Sequence, residues 1–207
     1  MENKGFFVDE SVAENVKEQK QTFSFKQEFF DWLEVIVTAI ITVVILFSLV
    51  FRVATIDGPS MENTLFTNDK VVITNLFYTP KQGDIVVISR NVDNSVEAEA
   101  SSDKPIIKRI IALEGQTVDI DFLTGVVSVD GRELDEPYTK TPTNRKYDID
   151  FPVTVPKGCV FVLGDNRNES LDSRARQIGE DGMINVKYIL GHAVFRAFPF
   201  NKIGDLK

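Results

Sequence analysis

The sequence predicts a mainly β fold, of the barrel or sandwich type, that follows one N-terminal transmembrane helix. Residues 35–51 form a run of 17 uncharged, mostly apolar residues, and about 20 such residues cross a bilayer as a helix. Beyond residue 54 the pattern changes to short β-branched runs between turn signals. Their spacing of about 8–12 residues is typical of an all-β sandwich or barrel.

The apolar run lies between Glu34 and Arg52. Trp32 suits a membrane interface and Arg52 can extend its charge toward water, so we expect the span to cover residues 32–53. A buried core helix is one alternative, but in a small domain it should carry a wetter face. A removable signal peptide is another, but it should begin with a short basic stretch, whereas the 34 residues before this apolar run are acid-rich. A retained anchor fits best.

This anchor divides the chain into a polar head (residues 1–31), the anchor (32–53) and a larger domain (54–207). Three lysines lie in the 20 residues before the apolar run, against two basic residues in the 20 after it. The positive-inside rule therefore favours a cytoplasmic N-terminus. The head is charge-dense, which predicts disorder or a short surface helix near residues 25–32.

Seven segments of the larger domain are predicted to be strands, because each combines β-branched residues with flanking turn residues. Turn signals stand at residues 124–125 and 130–131, and residues 91–103 and 138–151 are predicted to be irregular. The predicted strands are 70–74, 84–88, 106–113, 117–120, 126–129, 160–163 and 193–197.

Composition excludes several classes of function. The net charge is −8 and the pI is near 4.8, which argues against a nucleic-acid binder with a basic face. Cys159 is the only cysteine, so the sequence excludes an intramolecular disulfide and a metal site built on cysteines. Its strand-like surroundings predict a packed thiol.

Ser60 is the first candidate for chemistry. It lies in the turn-forming sequence Gly58-Pro59-Ser60-Met61, nine residues past the apolar run. At about 3.3 Å per residue this is at most about 30 Å of chain. A serine needs a base to become a nucleophile, and no motif connects it to the only histidine, His192. A turn serine with a purely structural role is the alternative.

Lys108 is the candidate base. A free lysine has a pKa near 10.4, and apolar surroundings such as the isoleucine-rich segment 106–111 can lower it by up to 3–5 units. Strand alternation places Lys108 and Arg109 on opposite faces. The structural alternative is a lysine that extends from the strand to solvent.

A third segment, residues 162–174, places many hydrogen-bonding side chains directly after an apolar strand. Such a segment is either an elaborate loop cap or the scaffold of a site. Asp172 can pair with Arg174 or with Arg167, and a hydroxyl group here can orient a nearby lysine.

Together these motifs resemble the bacterial type I signal peptidases, membrane-anchored serine proteases with a Ser–Lys dyad. The resemblance covers the chain from the anchor to Phe200, and the compact Firmicute-type members fit best because the last two motifs lie close together. It rests on four stretches in order: 58–61 with Thr64 and Leu65, 83–87, 108–111, and 164–167 with Ser170, Asp172, Ser173 and Arg174.

The resemblance implies a role for each matching residue. Ser60 would be the acylating nucleophile, and Lys108 the general base and then the acid for the leaving amine. Ser170 would hydrogen-bond and orient Lys108, while Asp172 and Arg174 would brace the site.

The resemblance also implies how the substrate binds. The family binds its substrate as an added β-strand, with shallow pockets for small residues at −1 and −3, and Ile56, Met61 and Ile107 match pocket-lining positions. The backbone N–H of Ser60 would form part of the oxyanion hole. Some relatives add a hydroxyl group two positions earlier, where this chain has Gly58, so a second donor stays unassigned.

Two departures lie beside these residues: Asn63 stands where the family usually has proline, and residues 112–116 lack the usual Gly-Leu-Pro-Gly-Asp. The sequence thus predicts a signal peptidase I at the cell membrane, with an extracytoplasmic catalytic domain and no metal or cofactor. Its expected partners are secretory precursors and membrane lipid, without nucleic acid. The alternatives are a Ser–Lys autoprotease of the self-cleaving repressor type, and an inactive anchored module that binds export substrates.

Overall fold

The computed structural model of the chain describes residues 25–89 and 104–206. The predicted loop at residues 91–103 and most of the predicted polar head lie outside the described residues. The chain divides into two compact units, Met1–Leu46 and Phe47–Lys207.

One helix, α1 (Phe25–Val50), contains the apolar run. Its stretch Glu28–Ser48 has a mean hydropathy of 2.2 and none of it is buried, so it is long and apolar enough to cross a membrane. The helix begins before the predicted span, because residues 25–31 are helical too. It also ends earlier, because Phe51–Thr55 form a strand that pairs with Lys70–Thr74.

Twelve strands lie in the described part of the second unit. They are β1 (Phe51–Thr55), β2 (Lys70–Thr74), β3 (Ile85–Ile88), β4 (Ile106–Leu113), β5 (Thr117–Asp121), β6 (Val126–Val129), β7 (Arg132–Glu133), β8 (Val153–Thr154), β9 (Cys159–Leu163), β10 (Ile184–Asn185), β11 (Ile189–Phe198) and β12 (Gly204–Asp205).

These strands form two sheets. The larger has eight strands in the order β1-β2-β11-β3-β4-β9-β10, with β12 also paired to β11. The smaller has four strands in the order β7-β6-β5-β8. Val118 and Val127 of the smaller sheet share a buried core with Ile111 and Phe161 of the larger, and each large apolar side chain so buried contributes about 1.5–3 kcal/mol.

Strand β4 lies inside the larger sheet, between β3 and β9. Its six central residues are buried, which explains its nearly continuous apolar sequence. Lys108 faces Val86 of β3 in the register, and Arg109 faces Leu163 of β9. Both cations are buried, with 3% and 2% of their surface exposed. The alternative that Lys108 extends to solvent is therefore wrong.

The prediction of a mainly β fold after one apolar helix is confirmed, with the larger sheet curled as a half-barrel. All seven predicted strands are present. The turn signal at Asp130-Gly131 is confirmed too, since both residues have positive φ, 52° and 75°, in the two-residue connection between β6 and β7. Hairpin turns of this kind favour Asp-Gly.

Candidate active site

The structure brings Ser60 and Lys108 together although 48 residues separate them. Lys108 Nζ lies 2.9 Å from Ser60 Oγ and donates a second hydrogen bond of 2.9 Å to the carbonyl oxygen of Ile107. Because β4 is held on both sides by other strands, the backbone that carries Lys108 is fixed. A hydroxyl group and an amine at this distance can exchange a proton.

Ser60 lies in a tight turn that is anchored by apolar burial. Met61 and Leu65, just after it, have no exposed surface, and the N–H groups of Thr64 and Leu65 donate to the carbonyl of Met61. Ser60 itself is half-buried. The turn therefore presents the serine at the edge of the core while its neighbours hold the backbone in place.

Ser170 lies close to this turn but does not make the predicted contact. It is fully buried, and its Oγ has no hydrogen-bond partner among the described residues. The predicted hydrogen bond to Lys108 is therefore not formed in this structure. The region around Gly164 is packed so closely that it leaves no room for a side chain. A Cβ at this position would lie 2.2 Å from Ser170 Oγ and 2.5 Å from the carbonyl oxygen of Ser60.

Asp172 and Arg174 form a fully buried ion pair, which settles the choice between the two arginines that the sequence left open. Arg174 Nε and Nη2 donate to the two carboxylate oxygens of Asp172 at 2.8 and 2.9 Å. The same carboxylate accepts the N–H of Gly164 at 3.0 Å. The pair thus ties the end of β9 to the segment that carries Ser170.

Two further arginine–carboxylate pairs escaped the sequence analysis. Arg109 donates to both oxygens of Asp165 at 2.9 and 2.7 Å, and Asp165 also accepts the hydroxyl of Thr64. Arg167 forms a similar pair with Glu136. The sequence signal for these pairs was the dense polar segment after β9, which contains both Asp165 and Arg167.

Tyr138 packs beside the first of these pairs. The guanidinium of Arg109 lies over its ring, 3.9 Å from the centroid, and its hydroxyl donates to Glu136 at 2.9 Å. Burial, reinforced by the Glu136 charge, raises the pKa of Tyr138 well above its usual range. Tyr138 is therefore a neutral hydrogen-bond donor at neutral pH.

The predicted pocket-lining residues Ile56, Met61 and Ile107 belong to one apolar cluster, which also contains Leu65 just after the Ser60 turn. Their exposed fractions are 3%, 0% and 9%. All three contribute to the packing there. Their predicted contact with substrate stays a prediction.

His192 packs against Tyr78 instead of serving the Ser60 turn. The two rings stack with their centroids 4.2 Å apart, and His192 Nδ1 lies 3.0 Å from the carbonyl oxygen of Thr74. Burial and the neighbouring Asp84 carboxylate raise the pKa of Tyr78 beyond its usual range. In residues 25–89 and 104–206 no group of three or more His, Cys, Asp or Glu side chains is placed to hold a metal ion.

Comparison with known proteins identifies the family. The family model described as "Signal peptidase, peptidase S26" matches residues 29–198. The chain is 32% identical over 196 residues to signal peptidase I of Bacillus licheniformis, covering 90% of this chain and 97% of the relative. It is also 32% identical over 202 residues to signal peptidase I of Bacillus amyloliquefaciens, covering 93% and 100%.

Two further matches cover less of the chain. A probable signal peptidase I-1 of Synechocystis is 38% identical over 154 residues, 73% of each chain. The crystal structure of a signal peptidase I from Enterococcus faecalis matches at 27% identity with a TM-score of 0.40, covering 56% of this chain and 97% of that one. The family model covers most of the chain, and two relatives above 30% identity are matched over nearly their whole length. The chain therefore belongs to the signal peptidase family, peptidase S26.

Proposed function

We propose that the protein is a membrane-anchored serine endopeptidase that removes signal peptides from exported precursors, with Ser60 as nucleophile and Lys108 as general base. The single observation that carries this proposal is the contact of 2.9 Å between Lys108 Nζ and Ser60 Oγ. Membership of the signal peptidase family supplies the reaction class.

Catalysis begins with a neutral Lys108. Its amine takes the proton of Ser60 Oγ while the oxygen attacks the scissile carbonyl carbon, giving a tetrahedral oxyanion. The resulting ammonium then gives its proton to the leaving amine of the mature protein, and the signal peptide stays on Ser60 as an ester. Lys108 next takes a proton from water, whose oxygen attacks the ester, and Ser60 leaves with that proton restored.

Burial makes a lysine suitable for this task. A low-dielectric environment penalises the charged ammonium and so favours the neutral amine, and Lys108 has only 3% of its surface exposed. The carbonyl of Ile107 accepts a hydrogen bond from Nζ, which orients the amine toward Ser60. The mechanism therefore needs no histidine.

The supporting groups lie around this pair. The backbone N–H of Ser60 donates one hydrogen bond to the developing oxyanion, and Gly58 offers no side chain as a second donor. The buried Asp172–Arg174 pair braces the β9 end. Ser170, whose Oγ lacks a partner among the described residues, is available to hydrogen-bond a reaction intermediate or Lys108 when substrate binds.

The apolar helix fits a membrane role. With α1 as a single-pass anchor in membrane lipid, the N-terminus is cytoplasmic and the catalytic domain extracytoplasmic. A precursor held in the same membrane by its apolar signal segment then meets the enzyme at a raised effective concentration.

The test is cleavage of a secretory precursor by the full-length enzyme in detergent or lipid, comparing wild type with Ser60→Ala and Lys108→Ala. We expect both variants to lose activity by far more than about 10³-fold, since removal of a nucleophile or its base costs up to about 10⁶-fold. Wild-type activity in either variant would refute the dyad. Failure of the wild type to cleave a bound precursor would favour an inactive binding module, and cleavage confined to its own chain an autoprotease.

A further inference from the structure

Asn166 contacts the backbone on both sides of Ser60. Its backbone N–H donates to the carbonyl oxygen of Ser60 at 3.0 Å, and its side-chain Nδ2 donates to the carbonyl oxygen of Pro59 at 3.1 Å. These two carbonyls belong to the consecutive peptide units that flank the serine. A single residue from the segment after β9 thus bonds to both peptide units beside the nucleophile, and the Pro59 carbonyl also accepts the N–H of Glu62 at 3.1 Å within the turn.

The consequence follows from peptide geometry. A trans peptide unit is planar, so its C=O and N–H point in opposite directions, and the Pro59–Ser60 unit is trans. Fixing the Pro59 carbonyl therefore fixes the direction of the Ser60 N–H. Fixing the Ser60 carbonyl holds the other side of the same Cα, and with it the direction from which Oγ emerges.

Asn166 is itself well held. It is 2% exposed and precedes a short 3₁₀ helix, Arg167–Glu169. The N–H of Glu169 donates to the Asn166 carbonyl at 3.0 Å, and Asn166 Nδ2 also donates to the Glu169 carboxylate at 3.3 Å. The exposed Glu169 side chain therefore orients the buried amide.

We propose that Asn166 is a positioning residue for the reaction, which aims the Ser60 N–H and Oγ by clamping the two peptide units beside them. This inference rests on the proposed function of Ser60. In this proposal the oxyanion donor is the backbone N–H of Ser60, and the Asn166 side chain keeps it rigid by holding the Pro59 carbonyl of the same peptide unit. Asn166 touches neither Lys108 nor the substrate in this role.

The experiment uses the full-length enzyme and a matched pair of variants, Asn166→Asp and Asn168→Asp. Both make the same change of charge and both positions lie in the same segment, but Asn168 Nδ2 donates to Thr141 and Pro142, away from Ser60. Precursor cleavage is measured for kcat and KM, and folding by circular dichroism. Ser60→Ala serves as the control for the proposed function.

We expect Asn166→Asp to lower kcat by about 10- to 100-fold, approaching the roughly 10²-fold effect of a lost oxyanion donor, because the Ser60 N–H is kept but no longer held in direction. KM should change by less than about threefold, because the substrate contacts are untouched. Asn168→Asp should keep kcat within about twofold of wild type.

A kcat for Asn166→Asp within about threefold of wild type would overturn the inference, and so would an unchanged kcat with a raised KM. If Asn166→Asp does not fold, the surface variant Glu169→Ala provides the test, because it removes the carboxylate that orients the Asn166 amide. It should lower kcat about three- to tenfold with KM unchanged, and an unchanged kcat overturns the inference. Full cleavage by Ser60→Ala would instead refute the proposed function, and the inference with it.

Discussion

Replacing Asp172 by Asn tests whether buried charge pairing holds the scaffold behind Ser60. Asp172 and its partner Arg174 have no exposed side-chain surface. Asn has nearly the same shape, so the variant keeps the packing, but it removes the negative charge and replaces one accepting oxygen by an NH₂ donor that faces Arg174 or the Gly164 N–H. Arg174 then remains as a buried cation beside a neutral amide, although it still donates to the carbonyls of Arg145 and Arg167.

The size of the effect follows from burial. Removing one partner of a buried ion pair costs about 3–5 kcal/mol, because the other charge stays out of water uncompensated. For a domain of 150–250 residues, each kcal/mol shifts the melting temperature by about 2–4 °C. We therefore expect Asp172→Asn to lower the melting temperature by about 6–20 °C.

The assay is unfolding of the full-length protein in detergent, followed by circular dichroism in the β region. The only tryptophan, Trp32, lies in α1 and does not report on the domain. The matched control is Asp181→Asn, which breaks an exposed pair with Arg176 at 3.3 Å, where the side chains are 51% and 80% exposed. Exposed pairs contribute about 0–1 kcal/mol. Equal losses in the two variants would refute the reasoning.

Three other substitutions probe the packing around the site. Gly164→Ala should lower kcat at least about tenfold and stability by about 1–3 kcal/mol, because the new Cβ overlaps Ser170 and the Ser60 carbonyl. Gly204→Ala, with nothing within 4 Å of its Cβ, should do neither, and equal effects in both would contradict the overlap. Burial raises the pKa of the Cys159 thiol, so wild type should lose stability relative to Cys159→Ala as the pH rises through about 8.5, where the unfolded thiol ionises first. If the stability difference between wild type and Cys159→Ala stays constant across that pH range, the raised pKa of the Cys159 thiol is contradicted. Phe77 has a φ of 52° and is 95% exposed, so urea unfolding should show Phe77→Gly more stable by about 0.5–1 kcal/mol, and a less stable variant would contradict backbone strain at this residue.

Sequence patterns correctly predicted the strands and turns whose signals lie within a few neighbouring residues. β4 (Ile106–Leu113) and the Asp130-Gly131 turn follow from β-branched runs and turn residues, and both are confirmed. β1 was missed because its residues continue the apolar run without a turn signal, and pairing with β2 makes them a strand. Strands of two residues, such as β8 and β10, are too short to carry a periodic pattern.

The same limit applies to the site. Asp172 and Arg174 are two residues apart, so their pairing was within reach of the sequence. Arg109 and Asp165 are 56 residues apart, and their pairing depends on the register of β4 and β9. Alternation predicts which face a side chain occupies, but not which residue it meets across the sheet.

The central claim is that Ser60 becomes acylated with Lys108 as its base. The most direct measurement is mass spectrometry of the peptide that contains Ser60, after full-length enzyme and precursor are mixed and rapidly quenched in acid. We expect an added mass equal to that of the signal peptide less one molecule of water, linked as an ester to Ser60 in wild type and absent from both Ser60→Ala and Lys108→Met. An adduct on another residue, or an adduct formed at the wild-type rate in Lys108→Met, would contradict it.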